Sequence, residues 1–411
     1  MTIDINIKNQ GDISMRKYLA LVLAFVMILA AFTSCSALDG LSAKEPTVDE
    51  NGVVLACVDA DNDHICDNCG QKTRHKYKDG YCTLCSQIEV FYTRTDNKIT
   101  FGSYPQSEVT DESLKKELKS ASGRLPSASN SRAWTSYGYY IRKEQVDFMW
   151  YIDVELGGEL YRGVYFTSLR PFYYSSASNE NYTYQNDNGY TPKNVYWFKY
   201  EPISWTILSE DVENSTAFIL CDLAIDSQAF QDLCGYDESD SEYNTFLNVS
   251  EGVPSGTEAN NYAYSTIRSW LNTTFYETAF SELQRELILI TTVDNGELSA
   301  PEGFNTNYCA STEDKLFLLS CKEISNPDYG FSNDYIETDA ARRKKSTDYA
   351  KCQGVTTSDF DFSKGNCEWA LRTMTSNSRN CYSVAFDGVS VNTEQVNFNG
   401  VGIVPAMNIK L

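Results

Sequence analysis

Four cysteines are spaced to hold a metal. Cys66-Asp-Asn-Cys69 and Cys82-Thr-Leu-Cys85 form a C-x2-C array repeated after twelve residues. Each knuckle presents two thiolates on one side of a tight turn, and two knuckles complete a tetrahedral S4 zinc site. Residues 55–87 carry few apolar side chains, so this Cys-rich module needs a staple, which a structural zinc supplies. His75 is an alternative ligand, and disulfide pairing among the same cysteines is the competing reading. Asp59, Asp61, Asp63 and Asp67 alternate in the same stretch as hard oxygen donors that suit calcium. His64 stands where a sharp calcium turn wants Gly and no distal bidentate Glu follows, so solvated acids outweigh this weak calcium site. Neither metal reading is catalytic.

Histidine narrows the chemistry further. The chain has two, His64 and His75, and none past Cys85. Ser-His-Asp and Cys-His catalysis and the His-Glu-x-x-His zinc site are therefore excluded from the remaining residues. An enzyme there rests on carboxylates, Tyr, Lys or Cys alone, so binding is favoured over catalysis. The net charge of −22 speaks against nucleic acid, whose phosphates demand Lys and Arg. Of thirteen cysteines, seven scatter from Cys221 to Cys381 in odd number and without regular spacing. They read equally as disulfide partners of an exported protein and as small buried side chains.

Elements that would carry these groups follow from the N-terminus onward. Arg16 and Lys17 precede an apolar run from Tyr18 to Phe32, shorter than the ~20 residues of a membrane span but right for a signal peptide. Phe32-Thr33-Ser34-Cys35 resembles the bacterial lipobox, which implies acylation of Cys35. The expected organisation is a signal peptide over 1–34 (translation starting at Met15), a polar tether over 35–54, the module at 55–87, and one large domain over 88–411. This makes the protein a lipoprotein on the extracellular face of the cell membrane, held there by its lipid anchor.

The large domain reads as α+β, an antiparallel β-sheet with two or three helices. Strand patterns occupy 98–102, ending at a Tyr104-Pro105 turn, then 160–166, 195–200, 204–208 and 217–221. Ser120–Ser136 and Tyr174–Lys193 read as polar loops. Ile267, Leu271, Phe275, Ala279, Leu283 and Leu287 repeat every four residues, predicting helix over 265–290. Asn272-Thr273 is expected to split it, with Thr274 and Glu277 as a capping box. Asp387-Gly388 and Asn399-Gly400 are type I′ hairpin signals in a C-terminal meander of strands at 383–386, 389–391, 396–398 and 401–409.

Several phrases in order resemble a widespread Gram-positive extracellular family, domain-of-unknown-function family 6273. They include Ile99–Gln106, Tyr196–Leu208, Ser265–Asn272, Asp314–Ser320, Thr347–Lys351, Trp369-Ala-Leu-Arg372 and Gly402–Ala406. The ending also resembles the C-type-lectin-like and formylglycine-generating-enzyme-like (sulfatase-modifying-factor-like) folds. The calcium-lectin loop and its Trp-Asn-Asp strand are missing, and Cys367 and Cys381 match the oxidase cysteine pair by position only. Arg268, Trp270, Trp369 and Arg372 fall in the family phrases as ligand contacts or as core indoles and loop-pinning guanidiniums. The favoured function is recognition of a glycan, cell-wall component or protein. The alternative is a carboxylate-dependent glycan hydrolase or cysteine-dependent oxidase.

Overall fold

Large buried side chains recur along Val195–Asp211, and this segment is the spine of the computed structural model. The structure describes residues 77–78, 81–82, 91–141, 144–171, 184–232, 253–304, 306–390 and 392–411, all within a unit spanning Thr73–Leu411. Cys35, the acids at 59–67, His75, Cys66, Cys69 and Cys85 lie outside the described residues. Cys82 ends a two-residue strand, Tyr81–Cys82, that pairs with Tyr77–Lys78. The longer strands are β1 (Lys98–Glu108), β2 (Met149–Leu156), β3 (Glu159–Phe166), β4 (Val195–Asp211), β5 (Thr216–Cys221), β6 (Trp369–Met374), β7 (Asn380–Val384), β8 (Asn392–Gln395) and β9 (Ala406–Lys410).

β4 is long enough to serve three partners, all antiparallel: β3 near its start, β1 through its middle and β5 at its end. The main sheet runs β9-β5-β4-β3-β2, with β1 beside β4. A second sheet runs Asp226–Ser227, Gly402–Ile403, β6, β7, β8. One apolar cluster takes Phe101, Phe198, Trp205 and Ile219 from the first sheet, Trp369 and Ile403 from the second, and Leu271 and Phe275 from the helical segment. A smaller one lies beneath α1 (Glu112–Ala121), where Leu118 meets Trp197 and Tyr161. The domain is α+β, with mostly antiparallel sheets and few helices.

Several local expectations give way to tertiary contacts. Pro105 does not end its strand; β1 continues to Glu108 because register shifts on β4 absorb the missing N–H. Asn272 does not split the helix. Its Oδ1 accepts from the Lys315 and Leu316 amides while its Nδ2 donates to the Leu316 and Arg268 carbonyls, so it staples a neighbouring loop instead. The break comes at Phe280–Ser281, and the capping box is Ser281 with Gln284. Asn399-Gly400 forms no hairpin: Asn399 is buried and donates to the Pro171 carbonyl, and a Cβ on Gly400 would meet the Phe398 and Tyr184 rings at 2.6–2.8 Å. Gly388 does turn, at φ 90°, but the next strand starts only at Asn392. The predicted last strand breaks at Val404-Pro405, so its halves join different sheets.

Candidate functional site

The helical segment after Ser265 holds the key to the site. Thr266–Trp270 is α-helical, Leu271–Phe275 makes one π-helical turn, and Tyr276–Ala279 returns to α. Such a turn inserts a residue into the hydrogen-bond ladder and re-aims the side chains around it. Trp270 precedes this turn and Thr274 lies within it, and both line a cavity of about 200 Å³. An adjoining hollow of about 100 Å³ shares Tyr137, Tyr139, Gln228 and Trp270 with it and adds Asp232 and Thr266. Together they approach the lower end of small-ligand pockets, about 300 Å³.

Five tyrosines line this cleft: Tyr104 from β1, Tyr137 and Tyr139 after the 120–136 loop, Tyr151 from β2, and Tyr349 from α2 (Asp348–Gln353). Three of their hydroxyls are tied together through Gln353. The Tyr137 and Tyr349 oxygens are 2.8 Å apart, Gln353 Nε2 donates to Tyr137 at 2.9 Å, and Tyr139 donates to Gln353 Oε1 at 2.9 Å. Burial, followed by neighbouring charges and phenols, raises the phenols of Tyr104, Tyr137 and Tyr349 well above their ordinary range. They act as neutral hydrogen-bonding groups. Arg162 lies 4.2 Å from the Tyr151 ring centre and donates twice to Asp153, at 2.8 and 2.7 Å. A guanidinium held this way orients rings rather than migrating to solvent.

Two carboxyls complete the lining. Asp226 is 1 % exposed and accepts from the Tyr104 hydroxyl at 2.8 Å, the Ser227 amide at 2.6 Å and Gln228 Nε2 at 3.2 Å. Asp232 gives its backbone N–H to Thr266 Oγ1 at 3.1 Å, but its buried Oδ1 meets no donor among the described residues. Burial pushes both carboxyls up to about 6, against the donors that pull them down.

The four residues singled out from the sequence do not converge. Trp270 lines the cleft. Arg268 bonds Asp314 Oδ1 at 2.6 Å and the Ala263 carbonyl at 2.9 Å. Trp369 is wholly buried with Nε1 donating to the Arg342 carbonyl at 2.9 Å. Arg372 binds both Glu323 oxygens and the Leu318 and Asp294 carbonyls, beside a more open hollow of about 270 Å³. Sequence reasoning missed Arg162, Asp226, Asp232 and the tyrosines as a group. Tyr104 and Tyr349 stand inside the family phrases, but nothing in their spacing says that residues 245 positions apart pack edge to face with ring centres 5.6 Å apart.

Cys367 and Cys381 are free, buried thiols, and burial raises both, Cys367 to about 12. Met374 pairs with Cys381, whereas Cys367 sits seven residues before Met374 on a short strand, Asn366–Cys367, that pairs with Lys344–Lys345 in another sheet. Among the described residues no group of three His, Cys, Asp or Glu side chains is placed to hold a metal ion, and no helix is long and apolar enough to cross a membrane.

No curated protein and no solved structure matches this chain. A family model does match, over residues 205–411, which takes in β5–β9, Asp226, Asp232, Trp270 and Tyr349 but leaves the phrase at 99–106 and the β1–β3 side of the cleft upstream. With half its length covered by that match, the chain belongs to the family of the domain of unknown function DUF6273.

Proposed function

We propose that this protein is a membrane-anchored extracellular lipoprotein whose large domain binds a small ligand group, presented by a glycan or another cell-wall component, in the tyrosine-lined cleft. One observation carries the reading: five tyrosines, Trp270, Arg162 and two aspartates from seven separate chain segments converge on two adjoining hollows. Flat rings supply large apolar contact at low entropic cost, and their hydroxyls and the acids supply orientation. The export signal, acylated Cys35, zinc held by the Cys-rich module and lectin-like architecture belong to the same proposal.

The hydrolase alternative needs one carboxyl free to give a proton and a second across the scissile bond. Burial lifts Asp226 to about 6, but both of its oxygens are already engaged by Tyr104, Ser227 and Gln228 rather than offered to a scissile bond. The oxidase alternative needs facing thiols, whereas Cys381 pairs with Met374 and Cys367 lies in a strand of another sheet. Recognition without catalysis fits the site better.

The test is calorimetric titration of the full exported chain with soluble cell-wall glycan fragments, alongside Trp270→Ala. Binding that the variant loses supports the reading. Unchanged binding by the variant, or no heat with any fragment, overturns it. Labelled palmitate incorporation, lost in Cys35→Ala, checks the anchor, and metal analysis of the purified chain checks the zinc.

A further inference from the structure

We propose that the Asp232 end of the cleft takes a protonated amine, an inference that rests on the binding reading above and names its ligand class. The first observation is the unmatched acceptor: Asp232 lines the smaller hollow, and its buried Oδ1 meets no donor among the described residues. A buried acceptor without a partner carries a desolvation penalty that a bound donor would remove. The second is charge balance. Arg162 is answered by Asp153. Arg170, whose guanidinium lies 4.5 Å from the Tyr139 ring centre, acts on both Asp226 and Asp232. Arg162 also acts on Asp226, so among the described residues three acids, Asp153, Asp226 and Asp232, face two guanidiniums, and Asp147, bonded to Ser136 Oγ at the lining, adds a fourth carboxyl. The third is the lining itself. Tyr137, Tyr139 and Trp270 border both hollows, and aromatic rings attract a cation through their quadrupole most strongly where water is excluded. About 100 Å³ accommodates an ammonium and its nearest carbons, at about 30 Å³ for each water-sized group. A neutral hydroxyl would satisfy the acceptor and leave the charge. An amine satisfies both.

An amino sugar with a free amine and a lysine-type side chain share this chemistry. The experiment therefore titrates the full exported chain with three probes: a glucosamine trimer, the N-acetylglucosamine trimer, and Nα-acetyl-lysine methylamide. The expected result is binding of the glucosamine trimer about tenfold or more tighter than its acetylated twin, with the preference lost in Asp232→Asn. Binding of the lysine probe in place of both trimers supports the amine and assigns it to a peptide. Equal affinity for both trimers, or a preference that survives Asp232→Asn, overturns the amine while leaving glycan binding intact. Failure of all three overturns the amine and the binding reading together. Ethylammonium chloride should also displace the bound probe from the unmodified protein where equal sodium chloride does not, a measurement that needs no variant to fold.

Discussion

The cleft at Asp232 and the hollow at Arg372 are both lined by charged and aromatic side chains, yet their charges are arranged differently. Beside Arg372, one guanidinium takes both oxygens of Glu323 and two backbone carbonyls from separate loops, so charge is matched within the protein. In the cleft, Arg162 is matched by Asp153, but Asp232 ends on an oxygen that meets no donor among the described residues. Each site keeps one buried atom without a partner among the described residues, Arg372 Nε and Asp232 Oδ1, so the difference is one of charge: Arg372 has Glu323 bonded to it, and Asp232 has no cation bonded to it among the described residues.

The sharpest way to break this comparison is Arg372→Met. Removing the cation leaves Glu323 and two carbonyls unanswered, and the expected cost is about 3 kcal/mol or more of unfolding free energy, read by urea denaturation. Affinity for a cleft ligand should not change in the fraction that folds. A loss below ~1 kcal/mol would mean that the hollow, too, is more than structure.

Asp226→Asn gives a comparable effect that depends on pH. Burial lifts the folded carboxyl to about 6 from an ordinary 3.8, so the folded state holds its proton more tightly than the unfolded chain. The stability from that proton is present below pH 4 and is lost as pH rises through 6. An amide carries no such loss. The variant's stability relative to the parent should therefore rise by about 3 kcal/mol between pH 4 and pH 7, since each pH unit between the two titration points is worth about 1.4 kcal/mol. A flat difference across that range would show that the carboxyl titrates normally.

Trp270→Ala should act on binding more than on the fold. The ring is half-buried and stacks on Phe275 at 5.3 Å, so stability should fall by about 1–2 kcal/mol while ligand affinity falls about tenfold or more. The smallest effect is expected at Thr273→Ala, one turn along the same helix. Its side chain is exposed and back-bonds to the Ser269 carbonyl at 2.7 Å, so stability should stay within about 0.5 kcal/mol and binding should not move. A binding loss there would place the ligand on the helix exterior.

Legibility in the sequence followed the range of the interaction. β3 and β5 lie within a residue of the strand-like runs at 160–166 and 217–221, and Ile267, Leu271, Phe275 and Ala279 are buried as their four-residue spacing requires. These depend on neighbours in the chain. Asn272, Pro105 and Gly400 depart from expectation because each has a strong local preference that a distant partner outweighs: a loop at 315–316, a register shift on β4, and the Tyr184 ring. α2 carries a local signature of its own, Thr347 as N-cap and Gly354 in the left-handed region after its last turn, which the periodicity of so short a helix does not reveal.

By itself, then, the sequence determined the α+β class, the loss of imidazole chemistry past Cys85 and the family, because composition, periodicity and phrase order are local properties. Only the tertiary structure decided that Tyr104, Tyr137, Tyr151, Asp226, Asp232, Trp270 and Tyr349 share one cleft. Bringing them together requires β4 to pair with strands on both sides of the matched boundary at residue 205, and no spacing along the chain encodes that closure.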